Sequence, residues 1–329
     1  MSPAATKDAA GRLARRRIGA TGLEVPALCF GMAPLGDTPE TYGHVTAEDE
    51  ARATIRAALS SPFPFLDTSR NYGMGKSEAR VGAVIREMEG LPADAVLSTK
   101  LDRDGDDRLD RDQARRSLEA SLEALGVDRV DILHIHDPEH CRDVDEVVRE
   151  AVPALFAMKE EGLCRAVGLA AGNVEVMAPI LDAFPFDCMI THNRFTLVNR
   201  NAEALIERAR ARGIAVLNAA PYAAGALVQG SRGALRYCYQ EPTEAMLAPI
   251  RAVEEVCERH GTPTGQAALG FSLDDDRVAS TLVGVASPAH VEQTVEWAMQ
   301  PVAVALRDEL SRLPATRDDP EATRNYTLG

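Results

Sequence analysis

Short apolar runs in this sequence end on residues that can handle protons. "FPFLDTS" ends in Asp67, with Tyr72 following in "RNYGMGKSE"; "AVLSTK" ends in Lys100; "VDILHIHD" ends in His134, His136 and Asp137. An acid, a phenol, an amine and an imidazole suit proton transfer coupled to hydride transfer at a carbonyl. A phenol, with an ordinary pKa of about 10, is a poor acid and a poorer base at neutral pH. A neighbouring ammonium favours the phenolate and lowers that pKa. An aspartate would keep the ammonium charged in a partly desolvated pocket, and the imidazole would orient the substrate oxygen or share its proton.

Each residue also has an ordinary reading. A strand-end Asp serves as a helix cap or loop acceptor, a loop Tyr packs, a Lys after a strand is solvated, and a buried His bonds to backbone. The chemical reading requires that one fold bring all of them to the same place.

The surrounding pattern supplies such a fold. Eight runs recur: "ALCF", "FPFLDTS", "AVLSTK", "VDILHIHD", "CRAVGLA", "DCMITHN", "IAVLNAAP" and "ASTLVG". Between them lie amphipathic stretches such as "DQARRSLEASLEALG", where Leu118, Leu122 and Leu125 share one helical face and Gly126 is placed to cap the end. Strands alternating with helices imply βαβ units and a parallel sheet. Eight units predict a (β/α)8 TIM barrel, in which residues at the C-terminal strand ends converge on one mouth. A doubly wound sheet is the competing fold, but no GxGxxG follows any of these strands. "RRIGATGLEVPAL" reads as an N-terminal β-hairpin. Residues 1–16 are expected to be a disordered tail without the apolar core of a secretory signal, and residues 17–329 a single barrel domain.

Composition narrows the partners. The formal charge of −14 over 329 residues disfavours nucleic acid and anionic membrane surfaces, and no apolar run approaches the roughly 20 residues that span a bilayer. Six scattered cysteines without a CxxC pair read as reduced thiols of a cytoplasmic protein. The expected partner is a small molecule, the expected assembly a monomer or small homo-oligomer, and no metal site is expected.

At these residues the sequence resembles the aldo-keto reductase superfamily, over about residues 17–302. "DTSRNYGMGKSEARVG", "LSTK" and "DILHIH" stand in the order of that family's motifs. The resemblance implies catalytic roles for Tyr72, Asp67, Lys100 and His136, with NAD or NADP as cofactor; His134, deeper in the barrel, is left a structural part. "HDPEH", "HNRFTLVNR" and "NAAPYAAGAL" look most like the branch holding D-threo-aldose 1-dehydrogenases, L-fucose and L-galactose dehydrogenases, and pyridoxal dehydrogenases. That branch implies oxidation of an aldose at C1 to the lactone, with pyridoxal or a general aldehyde or ketone as alternative substrates. A polyhydroxylated, neutral substrate also suits a sequence that shows no basic anion pocket. A non-catalytic, nucleotide-sensing barrel subunit and a Schiff-base aldolase using Lys100 are readings of other classes.

The resemblance also implies cofactor contacts at Gly31, Met32, Asp67, Asn193, Ala219, Gly284, Ser287, His290 and Gln293, and substrate contacts at Tyr72, His136, Tyr237 and Tyr239. Several positions depart from the family pattern. Ala170 and Ala171 replace a Ser-Asn pair, with Asn173 two residues late; His192 or Asn193 takes the place of a Gln; Ala219 replaces a stacking Tyr, with Tyr222 three residues on. Gly284 and His290 stand where NADP-preferring relatives carry Lys and Arg, which favours NAD, since a 2′-phosphate usually needs a cationic partner. In "SPAHVEQ", Ser287 as N-cap and Pro288 at the first helical position predict a helix start, which is also a phosphate site. The polar C-terminal "RDDPEATRNYTLG" is expected to lack fixed structure without ligand.

Overall fold

The computed structural model describes residues 13–43, 45–233, 236–238 and 240–322. Eight strands close into a barrel: β3 (Leu28–Gly31), β4 (Phe65–Asp67), β5 (Val96–Leu101), β6 (Val130–His136), β7 (Cys164–Ala171), β8 (Cys188–His192), β9 (Ala215–Ala219) and β10 (Val278–Gly284). All neighbouring pairs are parallel, and β10 pairs with β3 to close the ring. Ahead of it, β1 (Arg16–Arg17) and β2 (Glu24–Val25) form the antiparallel hairpin. The hairpin covers the barrel floor, where Ile18, Leu23 and Val25 are buried. Its Arg16 guanidinium donates to the carbonyls of Leu273 and Val278.

Helices separate the barrel strands, as right-handed βαβ connection demands. They are Glu48–Leu59, Lys76–Glu87, Arg111–Leu125, Val152–Glu160, Val174–Ala183, Glu203–Ala211 and Thr264–Leu273, with Pro288–Met299 after the last strand and Glu244–Arg259 as an extra helix before Thr264–Leu273. In Arg111–Leu125 the sequence signals act as expected. Asp110 accepts from the Gln113 amide at 2.8 Å, Leu118 and Leu125 are buried, and Gly126 ends the helix at φ 70°. The helix read through "VDEVVREAVPALFAMKEEG" is not uniform: Val147–Ala151 forms a π turn ahead of Pro153, because proline lacks the N–H and crowds the preceding turn.

Inward-facing residues stack in layers. Ser98 and Lys100 on β5, and His134 and His136 on β6, alternate with residues facing the helices, so each pair points into the barrel. His134 is fully buried beside Gly168 of β7, where any Cβ would lie 2.3 Å from its ring. All six cysteines are free and buried. Among the described residues no helix is long and apolar enough to cross a membrane.

Candidate active site

Asp67, the last residue of β4, and Lys100 of β5 form an ion pair of 2.6 Å whose side chains are each only 2% exposed. The ammonium also donates to the Thr68 carbonyl at 2.7 Å, and Ser98 Oγ donates to the second Asp67 oxygen at 2.8 Å. Lys100 Nζ lies 4.7 Å from the centre of the Tyr72 ring, and the Tyr72 and His136 rings meet edge to face with centroids 5.7 Å apart. The fold thus brings the proposed tetrad together.

The loop that carries Tyr72 is set by a backbone contact. Gly73, at φ 61°, packs against Gly36 so closely that a Cβ on Gly73 would fall 1.7 Å from the Gly36 carbonyl oxygen. Ser77 ties the same loop down, accepting from Thr68 Oγ1 at 2.9 Å and donating its one proton to the Met32 carbonyl.

Asp102 is the functional-site residue that the sequence reading passed over. It is 1% exposed, and its Oδ1 lies 2.5 Å from His136 Nδ1. Its Oδ2 accepts from Ser69 Oγ at 2.6 Å and from the Asn71 amide at 3.0 Å. The signal was present: Ser98, Lys100 and Asp102 follow the period of two that marks one face of a strand. Burial works against charge on His136, but the carboxylates of Asp137 and Asp102 outweigh it and raise its pKa. Burial likewise works against charge on Asp102, yet His136 and the bonds from Ser69 and Asn71 hold its pKa below the usual carboxylate value. His134 is the opposite case: burial depresses its pKa to about 3, leaving a neutral ring between Ser98 Oγ and Cys188 Sγ.

A cavity of about 640 Å³ opens over the tetrad. Asn71, Arg103, Asp137 and His192 surround its end at the tetrad, and two arginines that the sequence reading did not place there, Arg103 and Arg236, also line it. The Arg103 Nε donates to Asp107 at 2.8 Å, and Arg236 reaches the Glu40 carbonyl at 3.1 Å, so the loops after β9 and β3 meet over the cavity.

Of the residues expected at a cofactor, Gly31, Asp67, Ala219, Gly284 and His290 line the cavity. Met32 is buried away from it, Gln293 is exposed on its helix, and Ser287 caps that helix by accepting from the His290 amide. Asn193 is buried with its amide on Glu321, whereas its neighbour His192 faces the cavity. Asn173 caps the helix Val174–Ala183. Tyr237 is buried in a side cluster with Leu197 and Ile250, off the cavity, and Tyr239 lies outside the described residues. The expected loose C-terminus is tied down through residue 322: Asp319 and Glu321 pair with Arg194, and Glu321 also with His192.

The residues present fit a dinucleotide. From the tetrad the cavity runs past Ala219, Ala220, Ala224 and Gly225, whose small side chains leave room for flat rings, to Gly284, Ala286 and His290 at the N-terminus of the helix Pro288–Met299. Backbone amides at such a helix start favour a phosphate.

Comparison with known proteins agrees with this geometry. The chain is 32% identical to L-galactose dehydrogenase of Arabidopsis thaliana, over 85% of this chain and 86% of that protein. It is 29% identical to D-threo-aldose 1-dehydrogenase of a Pseudomonas species, covering 89% and 95%. Among solved structures, the holo form of an aldo-keto reductase from Bacillus halodurans superposes with a TM-score of 0.75 at 22% identity, covering 94% and 99%. The sequence model of the aldo/keto reductase family matches residues 27–303, which include all four members of the tetrad. This chain therefore belongs to the aldo/keto reductase family of oxidoreductases.

Proposed function

We propose that the protein is an NAD(P)-dependent aldose dehydrogenase that oxidises the anomeric carbon of a sugar hemiacetal to the lactone, with NAD favoured over NADP. The observation that carries this reading is the Tyr72–Lys100–Asp67–His136 cluster at one end of a cavity shaped for a dinucleotide. The similarity to aldose-oxidising relatives supports the substrate class. So do Asn71, Arg103, Asp137 and His192, which offer donors and acceptors to several hydroxyl groups. The absence of Lys and Arg from residues 284–293 supports the preference for NAD.

Bound in the cavity, the nicotinamide supplies the hydride acceptor. Tyr72, as phenolate, takes the proton of the anomeric hydroxyl while the hydride leaves C1 of the sugar. Lys100 favours that phenolate, and Asp67 keeps the ammonium charged inside the barrel. His136 holds the substrate oxygen. In the reducing direction the same groups run in reverse, with Tyr72 as the acid.

The test is nicotinamide fluorescence on mixing the protein and NAD with L-fucose, L-galactose, D-arabinose and pyridoxal. Turnover of a sugar is the expected result. Turnover of pyridoxal alone would move the substrate to that of a pyridoxal 4-dehydrogenase, a relative 27% identical to this chain. Cofactor binding with no turnover would favour a nucleotide sensor. A hundredfold higher kcat/KM with NADP would overturn the NAD preference.

A further inference from the structure

His136 presents two nitrogens, and among the described residues protein groups hydrogen-bond to only one. Nδ1 faces Asp102 Oδ1 at 2.5 Å and Ser69 Oγ at 3.2 Å. The Ser69 hydroxyl gives its one proton to Asp102 Oδ2, so toward Nδ1 it is an acceptor. With acceptors on both sides, Nδ1 must carry a proton. Nε2 lies 3.7 Å from Asp137 Oδ2, beyond hydrogen-bonding distance, and is the nitrogen left for a ligand. Asp102 itself touches no Lys or Arg among the described residues. A buried carboxylate without a cation is costly, and among the described residues His136 is the titratable group in contact that can supply one.

We propose that Asp102 is a positioning residue for the reaction: it locks the proton on His136 Nδ1, holds the ring as an imidazolium, and so makes Nε2–H a donor to the substrate oxygen. The inference rests on the reading that His136 meets that oxygen. During oxidation the hydroxyl gives its proton to Tyr72, so its oxygen needs a donor, and a neutral ring protonated at Nδ1 would offer only a lone pair there. A fixed positive donor also stabilises charge on that oxygen as its proton departs.

Other charged groups around the ring set the balance. Lys100 on β5 opposes the imidazolium, as does any charge on His134 of the same strand as His136. Asp137 supports it, and Asp137 is itself flanked by His140, His192 and Arg103. Tyr72 faces the ring from the loop after β4. Lys100 is already paired with Asp67, which leaves Asp102 as the anion in direct contact with His136.

The experiment is a histidine-labelled 1H–15N NMR titration of wild type, Asp102→Asn and Ser69→Ala without substrate, with kcat/KM measured across pH. Asp102→Asn keeps an acceptor for Nδ1 but removes the charge. The His136 midpoint should fall by at least about one pH unit. kcat/KM at pH 7 should fall at least about tenfold, with the loss growing as pH passes the new midpoint. Ser69→Ala should move the midpoint the same way by less, and it carries the test if the first variant does not fold. An unchanged midpoint overturns the proposal, as does a lowered midpoint with unaltered kcat/KM. Because the titration needs no turnover, it separates a failure of this proposal from a failure of the dehydrogenase reading.

Discussion

The ammonium of Lys100 sits 4.7 Å from the centre of the Tyr72 ring, on the strand beside the one whose loop carries the tyrosine. A cation at that place lowers the cost of a phenolate, and in the proposed reaction the Tyr72 oxygen is the group that takes the substrate's proton. Tyr72→Phe should therefore reduce kcat by two or more orders of magnitude, on the order expected for a positioned acid or base. Cofactor affinity, measured by fluorescence titration, should stay nearly the same. Near-normal turnover would remove Tyr72 from the mechanism.

Lys100 and Asp67 are each buried, so removing one strands the other. Lys100→Met should destabilise the fold by about 3–5 kcal/mol, the usual cost of an uncompensated buried charge. The double variant Asp67→Asn/Lys100→Met should lose less than the sum of the single losses. Urea denaturation of the four proteins provides the cycle, and additive losses would show that the pair is not coupled.

His134 gives the fold an acid sensitivity. Its pKa is about 3 in the folded barrel and 6.5 when free, so the unfolded chain binds the proton first as pH falls. The native state is then penalised by up to about 1.4 kcal/mol per pH unit between those values, and the penalty vanishes above the free value. Thermal melts between pH 4 and 7 should show a shallower acid-side decline for His134→Gln than for wild type. Parallel declines would assign the sensitivity to other groups.

Glu321 links the end of the chain to the site wall, because it contacts both Arg194 and His192 and His192 lines the cavity. Glu321→Ala should raise KM for the sugar several-fold with kcat changed by less than about twofold, the pattern of lost uniform binding. It should also lower Tm, since the Arg194 side chain is 3% exposed and would lose one of its two carboxylate partners, keeping Asp319 and the His192 carbonyl. Steady-state kinetics that leave KM unchanged would detach Glu321 from substrate binding.

The barrel was legible because eight strand runs alternate with helical ones, and the tetrad because its residue types stand at successive strand ends. Asp102 was missed for a specific reason. "LSTK" looks like the end of a strand, yet the alternation of side chains continues past it and carries Asp102 onto the same face as Ser98 and Lys100. Asn193 and His192 were harder to separate. Asn193 takes φ 60°, which breaks the strand and turns adjacent side chains to unrelated places, and no periodic pattern anticipates such a residue. The C-terminal segment reads as polar and featureless, and as far as residue 322 it is held by contacts that include ion pairs to Arg194, a residue more than a hundred positions earlier.

Gly36 and Gly73 touch through their main chains, with no room for a side chain on the latter. The height of Tyr72 above the barrel axis is thus fixed by peptide against peptide. Lining residues such as Arg103 and His192 stand outside that backbone contact, so changes among them leave the height as it is. The wall of the cavity is thus built from side chains, whereas the position of Tyr72 is built from backbone.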